Sequence, residues 1–147
     1  MRKGFSLITA IVIMMAVSLL MTMMISLSST TVKTTTDMYL KEQANLLARS
    51  AVEYVLLAIS GHNNTKNCIT NLNLTYPNKT TPTHDINVSV IYLGKSIPNC
   101  TNNTLDNNIS TDDSNFTAIV DVIVSVRRDQ TGITEPIRIH RRTIQKP

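Results

Sequence analysis

Three histidines, two adjacent aspartates and two cysteines carry what reactive chemistry this 147-residue sequence has. His62, His84 and His140 stand far apart along the chain, and each reads as an isolated surface residue rather than a base or a ligand. Asp112 and Asp113 offer oxygens that a calcium ion can take. The residues around them follow no calcium-loop spacing, so a solvated turn is the reading. There is no His-Glu-x-x-His pair, phosphate loop, nucleophile elbow or Gly-rich cofactor turn. The expectation is a protein that is not an enzyme, with no catalytic residue, no metal ligand and no cofactor.

Cys68 and Cys100 flank 31 mostly polar residues, and a structural zinc site wants four ligands at short paired spacings. Outside the cytoplasm their use is a disulfide. Closing a loop of that length contributes on the order of 3–4 kcal/mol by restricting the unfolded chain. That matters here, because Phe116 is the only phenylalanine beyond the N-terminal region and the core is thin. The net charge of +4 includes a cluster at Arg127, Arg128, Arg138, Arg141, Arg142 and Lys146. Without a zinc-finger spacing, an aromatic platform or a Gly-rich motif, the cluster reads as a solvated face of edge strands. No nucleic-acid partner is expected.

The element that positions everything else is at the front. No charged residue lies between Lys3 and Lys33, and Phe5–Ser29 holds only hydrophobic, Ala, Ser and Thr side chains. As a helix these 25 residues reach about 37 Å, enough for a bilayer core of about 30 Å. Their hydroxyls can bond back to the carbonyl one turn earlier. The five methionines from Met14 to Met24 form pliable packing surface rather than a soft-metal site. Arg2 and Lys3 precede the apolar run, which favours a cytoplasmic N-terminus with the remainder outside. A cleavable secretory signal is the competing reading, with a weak site at Ser26–Ser28, but its apolar core is normally shorter.

A helical pattern then resumes. Asp37–Ser60 has no Gly or Pro, and it places Leu40, Ala44, Leu47, Ala48, Ala51, Val52, Val55, Leu56 and Ile59 at steps of three and four. Arg49 and Glu53 form a weak i,i+4 pair on the other side. Gly61 reads as a C-cap. The Thr-rich section Ser28–Thr36 is a poor helix former, and a weakening or bend is expected there. Phe5 to Ser60 therefore reads as one helix of about 84 Å, apolar all round at first and amphipathic afterwards. Such an anchor serves either as a plain single-pass tether or as a surface that like helices bury when subunits assemble.

The opening residues Met1-Arg2-Lys3-Gly4-Phe5-Ser6-Leu7-Ile8 resemble the leader and mature start of prepilins and pseudopilins, the subunits of type IV pili and type II secretion systems. The likeness covers about the first 60 residues. It implies that Gly4 ends a leader carrying the charges Arg2 and Lys3, that a prepilin peptidase cuts after it, and that Phe5 becomes the methylated N-terminus. The fifth mature residue in the family is usually Glu, which pairs with a neighbour's N-terminal amine during assembly. That position is Thr9 here, a departure that resembles a minor, tip-like subunit. The implied partners are other pilin or pseudopilin subunits, the prepilin peptidase, an inner-membrane assembly platform and the lipid bilayer. The implied place is the bacterial inner membrane, with the soluble domain periplasmic. The alternatives are a single-pass extracytoplasmic binding protein with no filament role, and a secreted protein cut near Ser28.

The expected divisions are a leader at 1–4, a membrane-spanning half at 5–29, an amphipathic half at 30–60 and a β-rich soluble domain at 61–147. Within the last, Asn63–Thr83 and Ser96–Asn115 read as loops. Asn-X-Ser/Thr triplets at Asn73, Asn87 and Asn108 follow from an Asn/Thr-rich composition and carry little weight for glycosylation. Asp85–Gly94 alternates as a strand with Ile86, Val88, Val90 and Tyr92 on one face. Phe116–Arg128 is the clearest strand, and after a turn at Asp129–Gly132 it pairs with Ile133–Ile144. The fold class expected is α+β and pilin-like, a three-stranded antiparallel sheet covered by the amphipathic half of the helix.

Overall fold

The computed structural model describes residues 3–62, 67–95, 100, 103–106, 108–109, 116–133 and 135–146, with side chains from Leu7 onward. Asp112, Asp113 and Arg2 lie outside them. Its elements in chain order are α1 (Lys3–Gly61), β1 (Asn71–Tyr76), β2 (His84–Leu93), β3 (Thr104–Asp106), β4 (Thr117–Val126), α2 (Arg128–Thr131) and β5 (Arg138–Gln145). The chain divides into two units, Met1–Met38 and Tyr39–Pro147.

The first unit is the apolar part of α1. It belongs to a helix long and apolar enough to cross a membrane, whose most apolar window has a mean hydropathy of 2.5 and buries nothing against the protein. The expected weakening at Ser28–Thr36 does not interrupt it. Thr31, Thr35 and Thr36 donate their hydroxyls to the carbonyls of Leu27, Thr31 and Val32 at 2.8–2.9 Å, and Thr34 donates to Thr30 at 3.0 Å. Ser18 and Thr22 do the same toward Met15 and Leu19. These threonine hydroxyls are thereby satisfied within their own helix, and the tract remains helical despite its low propensity.

The second unit packs the rest of α1 on one face of a sheet. Leu40, Ala44, Ala48, Ala51, Val52, Val55 and Ile59 are buried, following the three- and four-residue steps of a single stripe. They form one core with Ile86, Val88, Val90 and Tyr92 of β2 and Ala118, Val120, Val122, Val124 and Val126 of β4. Small Ala side chains on the helix meet β-branched Val side chains on the strands. Full burial of each Val contributes about 2 kcal/mol. Arg49 and Glu53 form no ion pair among the described residues. Gly61 is the last helical residue and is not among the glycines with positive φ, so it does not take the left-handed conformation of a C-cap.

The sheet runs β1-β2-β4-β5, antiparallel throughout, with β3 added parallel to the end of β2. β2 and β4 pair over ten positions, from His84 opposite Val126 to Leu93 opposite Thr117. The sheet therefore has two strands more than expected. β1 lies in a segment read as a loop, where Leu72 and Leu74 alternate with Asn and Thr and are half-buried. Beyond it the Tyr76–Pro77 peptide is cis, and Asn78 Oδ1 accepts from the amides of Thr80 and Thr81. β3 is only three residues long. The β4–β5 turn contains the short α2, ended by Gly132 at φ 66°, a left-handed conformation that suits glycine. Buried Ile133 then returns the chain to the core.

Cys68 and Cys100 are bonded, with Cα atoms 5.5 Å apart. The bridge ties the approach to β1 to the approach to β3. Around it the Tyr92 hydroxyl donates to the Ile69 carbonyl at 2.8 Å, and the Tyr92 ring meets Phe116 edge-on at 5.8 Å. A domain with few aromatics thus pairs two of them, one bonded to the residue that follows Cys68.

Candidate functional site

Because side chains alternate along a strand, the core-facing Val rows leave a second row on the other face. On β2 that row is Asp85, Asn87, Ser89, Ile91 and Leu93. On β4 it is Thr117, Ile119, Asp121, Ile123 and Ser125. Register adds Asn71, Asn73 and Thr75 from β1, and Arg138, His140, Arg142 and Ile144 from β5. Asn71, Asn73, Asn87, Ser89, Asp121 and Ile123 line a shallow groove of about 390 Å³ on this face.

Two ion-pair groups frame it. Asp121 accepts from Arg142 Nη2 at 2.6 Å and also meets His140 Nε2. Its side chain is 15% exposed while those partners stand in solvent. Partial burial raises the Asp121 carboxyl, but the hydrogen bonds and charges of Arg142 and His140 outweigh it and hold the group below the usual carboxylate range. Asp85 accepts two bonds from Arg127, at 2.7 and 2.8 Å, a fork that joins the start of β2 to the end of β4. The hydrogen bond from Asp85 leads the causes that raise the Arg127 guanidinium above its ordinary value.

No chemistry follows from this arrangement by itself. Ser89 faces Asp121 across the ladder, but His140 sits two strands from Ser89, beside Ile123. Among the described residues, no three His, Cys, Asp or Glu side chains gather where they can hold a metal ion.

Two of the three histidines depart from their sequence reading. His84 is fully buried, not a surface residue, and His140 is part of the Asp121 group. The His84 Nδ1 lies 2.8 Å from the Thr83 hydroxyl, which donates to the Tyr76 carbonyl at 3.2 Å. Nε2 has no hydrogen-bond partner among the described residues. Burial lowers the His84 pKa, with a smaller opposing pull from the backbone of Leu40.

Lys3, Gly4 and Phe5 lie in the first turn of α1, and Thr9 is exposed within its apolar run. The Asp121 group was hidden from sequence reasoning because it requires the β4–β5 register. Only that register sets Asp121 opposite Arg142 across a gap of 21 residues.

No protein-family model, curated protein or solved structure matches this chain. What the structure establishes is an architecture. It is α+β and pilin-like, a long apolar helix near the N-terminus whose second half packs on a small antiparallel sheet.

Proposed function

We propose that this chain is a minor pilin or pseudopilin, a structural or initiating subunit of a type IV pilus or type II secretion filament. The observation that carries the proposal is the surface of α1 before Tyr39. Leu7, Ile8, Ile13, Met14, Leu19, Met24 and Leu27 are all more than half exposed on a helix that is continuous into the sheet-bearing unit. A face this apolar needs lipid, partner helices, or each in turn. The hydroxyls of Ser18, Thr22, Thr30, Thr31, Thr34, Thr35 and Thr36 suit both surroundings, since each is bonded within the helix.

In this reading the N-terminus starts in the cytoplasm, Arg2 and Lys3 hold it there, and a prepilin peptidase cuts between Gly4 and Phe5. Phe5 is then methylated, and the inner-membrane assembly platform transfers the helix from lipid to neighbouring subunits. Thr9 offers no carboxylate to a neighbour's terminal amine, which suits a subunit placed once, at a tip, rather than repeated along a filament. The disulfide fits a periplasmic location for the soluble unit.

The test is the N-terminal mass of the protein purified from cells that carry a prepilin peptidase. A chain starting at N-methyl-Phe5 supports the proposal. An intact Met1 favours a membrane-anchored binding protein, and a start near Ser29 favours a secreted one; either overturns the filament reading.

A further inference from the structure

We infer that the free edge of β5 is a docking site for an acidic, extended segment of another protein, which adds to the sheet as a further strand. β5 ends the strand order, and no described element pairs with its outer side. Proteins commonly blunt such an edge with a short strand, a proline, a bulge, a covering element or charge. β5 uses only the last. It is eight residues long, pairs with β4 through eight consecutive positions, has no proline and is exposed at six of its residues.

The charge is of one sign. Arg138, His140, Arg141 and Arg142 lie in the strand, Lys146 follows it, and no acidic residue accompanies them. Asp121 engages only His140 and Arg142, so Arg138, Arg141 and Lys146 remain without an ion partner among the described residues. Arg138, His140 and Arg142 share the face of Asp121, while Arg141 lies on the face of Val122. An incoming strand is therefore met by positive charge on both faces. Its best side chains are acidic at alternate positions, with one more acid on the opposite face.

The same charges decide against other occupants. A second copy pairing β5 with β5 sets arginine against arginine. The opposite edge, β1, reads Asn71–Tyr76 and has no charge to offer in return. Single-stranded nucleic acid lacks stacking partners, since neither β5 nor the outer rows of β1, β2 and β4 carry a Phe, Tyr or Trp. Repulsion of copies and attraction of an acidic strand are two results of one pattern.

The test uses the full chain in detergent micelles and an eight-residue peptide alternating glutamate and valine. Binding is followed by fluorescence anisotropy and by amide hydrogen exchange. The expected result is saturable binding that adds protection to alternate β5 amides. Replacing glutamate by glutamine weakens it by about tenfold or more, and so does N-methylation of the peptide backbone at unchanged charge. Arg138→Glu with Arg141→Glu transfers the preference to a lysine–valine peptide. Equal affinity for the N-methylated peptide overturns strand addition, and this readout needs no variant to fold. Equal affinity for the glutamine peptide overturns the acidic partner. Tighter binding of oligothymidylate, or protection of β5 by self-association without peptide, overturns the choice of occupant.

Discussion

Asp121 of β4 and Arg142 of β5 stand directly opposite one another in the sheet, and their carboxylate and guanidinium meet at 2.6 Å. The pair fastens an edge strand that is also held by backbone bonds, by His140 on the same carboxylate and by a half-buried Ile139. Asp121→Asn keeps the shape and removes the charge. Because Asp121 is mostly covered while Arg142 is exposed, the expected loss of stability is about 1 kcal/mol. The sign with pH is set by the lowered pKa of Asp121. Its contribution is full above the ordinary aspartate value of about 3.9 and is lost as pH falls through the depressed folded value. Denaturation curves of both proteins at stepped acid pH measure this; parallel curves from pH 5 downward contradict it.

The helix and the two central strands were legible in the sequence for a physical reason. Leu40 to Ile59 and Val120 to Val126 bury one face each, so their periods of 3.6 and 2 appear directly in residue type. β1 was missed because an edge strand buries only Leu72 and Leu74 in part, and Asn-rich neighbours mask the alternation. β3 was missed because three residues form no period. The burial of His84 was invisible for a different reason. A histidine at an inward strand position looks like any polar residue until the covering helix is placed above it. The expected disulfide needed only the spacing of its cysteines and the inference of export.

The disulfide carries its own prediction. Cys68 and Cys100 close a loop of sequence separation 32 that contains β1 and β2, in a domain with a thin core. Replacing both by serine is expected to lower stability by about 3 kcal/mol, mainly through the freer unfolded chain. Urea titration of the two proteins in micelles, with and without reductant, measures it. Reductant should bring the parent protein to the level of the variant, and a parent unaffected by full reduction contradicts the prediction.

Helix-on-sheet packing is tested at Ala48. It is fully buried against the Val rows, with no room taken by its own side chain beyond the methyl. Ala48→Leu forces the helix from the sheet and is expected to destabilise the domain by about 1–3 kcal/mol. Ser50→Ala, on the exposed side of the same turn, should change stability by less than about 0.5 kcal/mol. Thermal unfolding of the two variants separates them; similar melting temperatures contradict the packing described.

His84 gives the domain a pH dependence near neutrality. Its ring is buried in the neutral form, with Nδ1 beside the Thr83 hydroxyl and Nε2 unpartnered. Burial lowers its folded pKa below the ordinary value of about 6.5 that the unfolded chain retains. Below that value the unfolded state binds the proton more readily than the folded one. The stability His84 supplies is therefore complete above about pH 6.5 and is lost as pH falls through the depressed folded value. The smaller opposing pull of the Leu40 backbone moderates the loss without reversing it. His84→Leu removes the titrating group while Thr83 keeps its bond to Tyr76. The variant should show a flatter stability profile between about pH 6.5 and pH 5, above the range in which Asp121 acts. Urea midpoints at half-unit pH steps read the difference, and equal slopes in the two proteins would rule out His84 as its source.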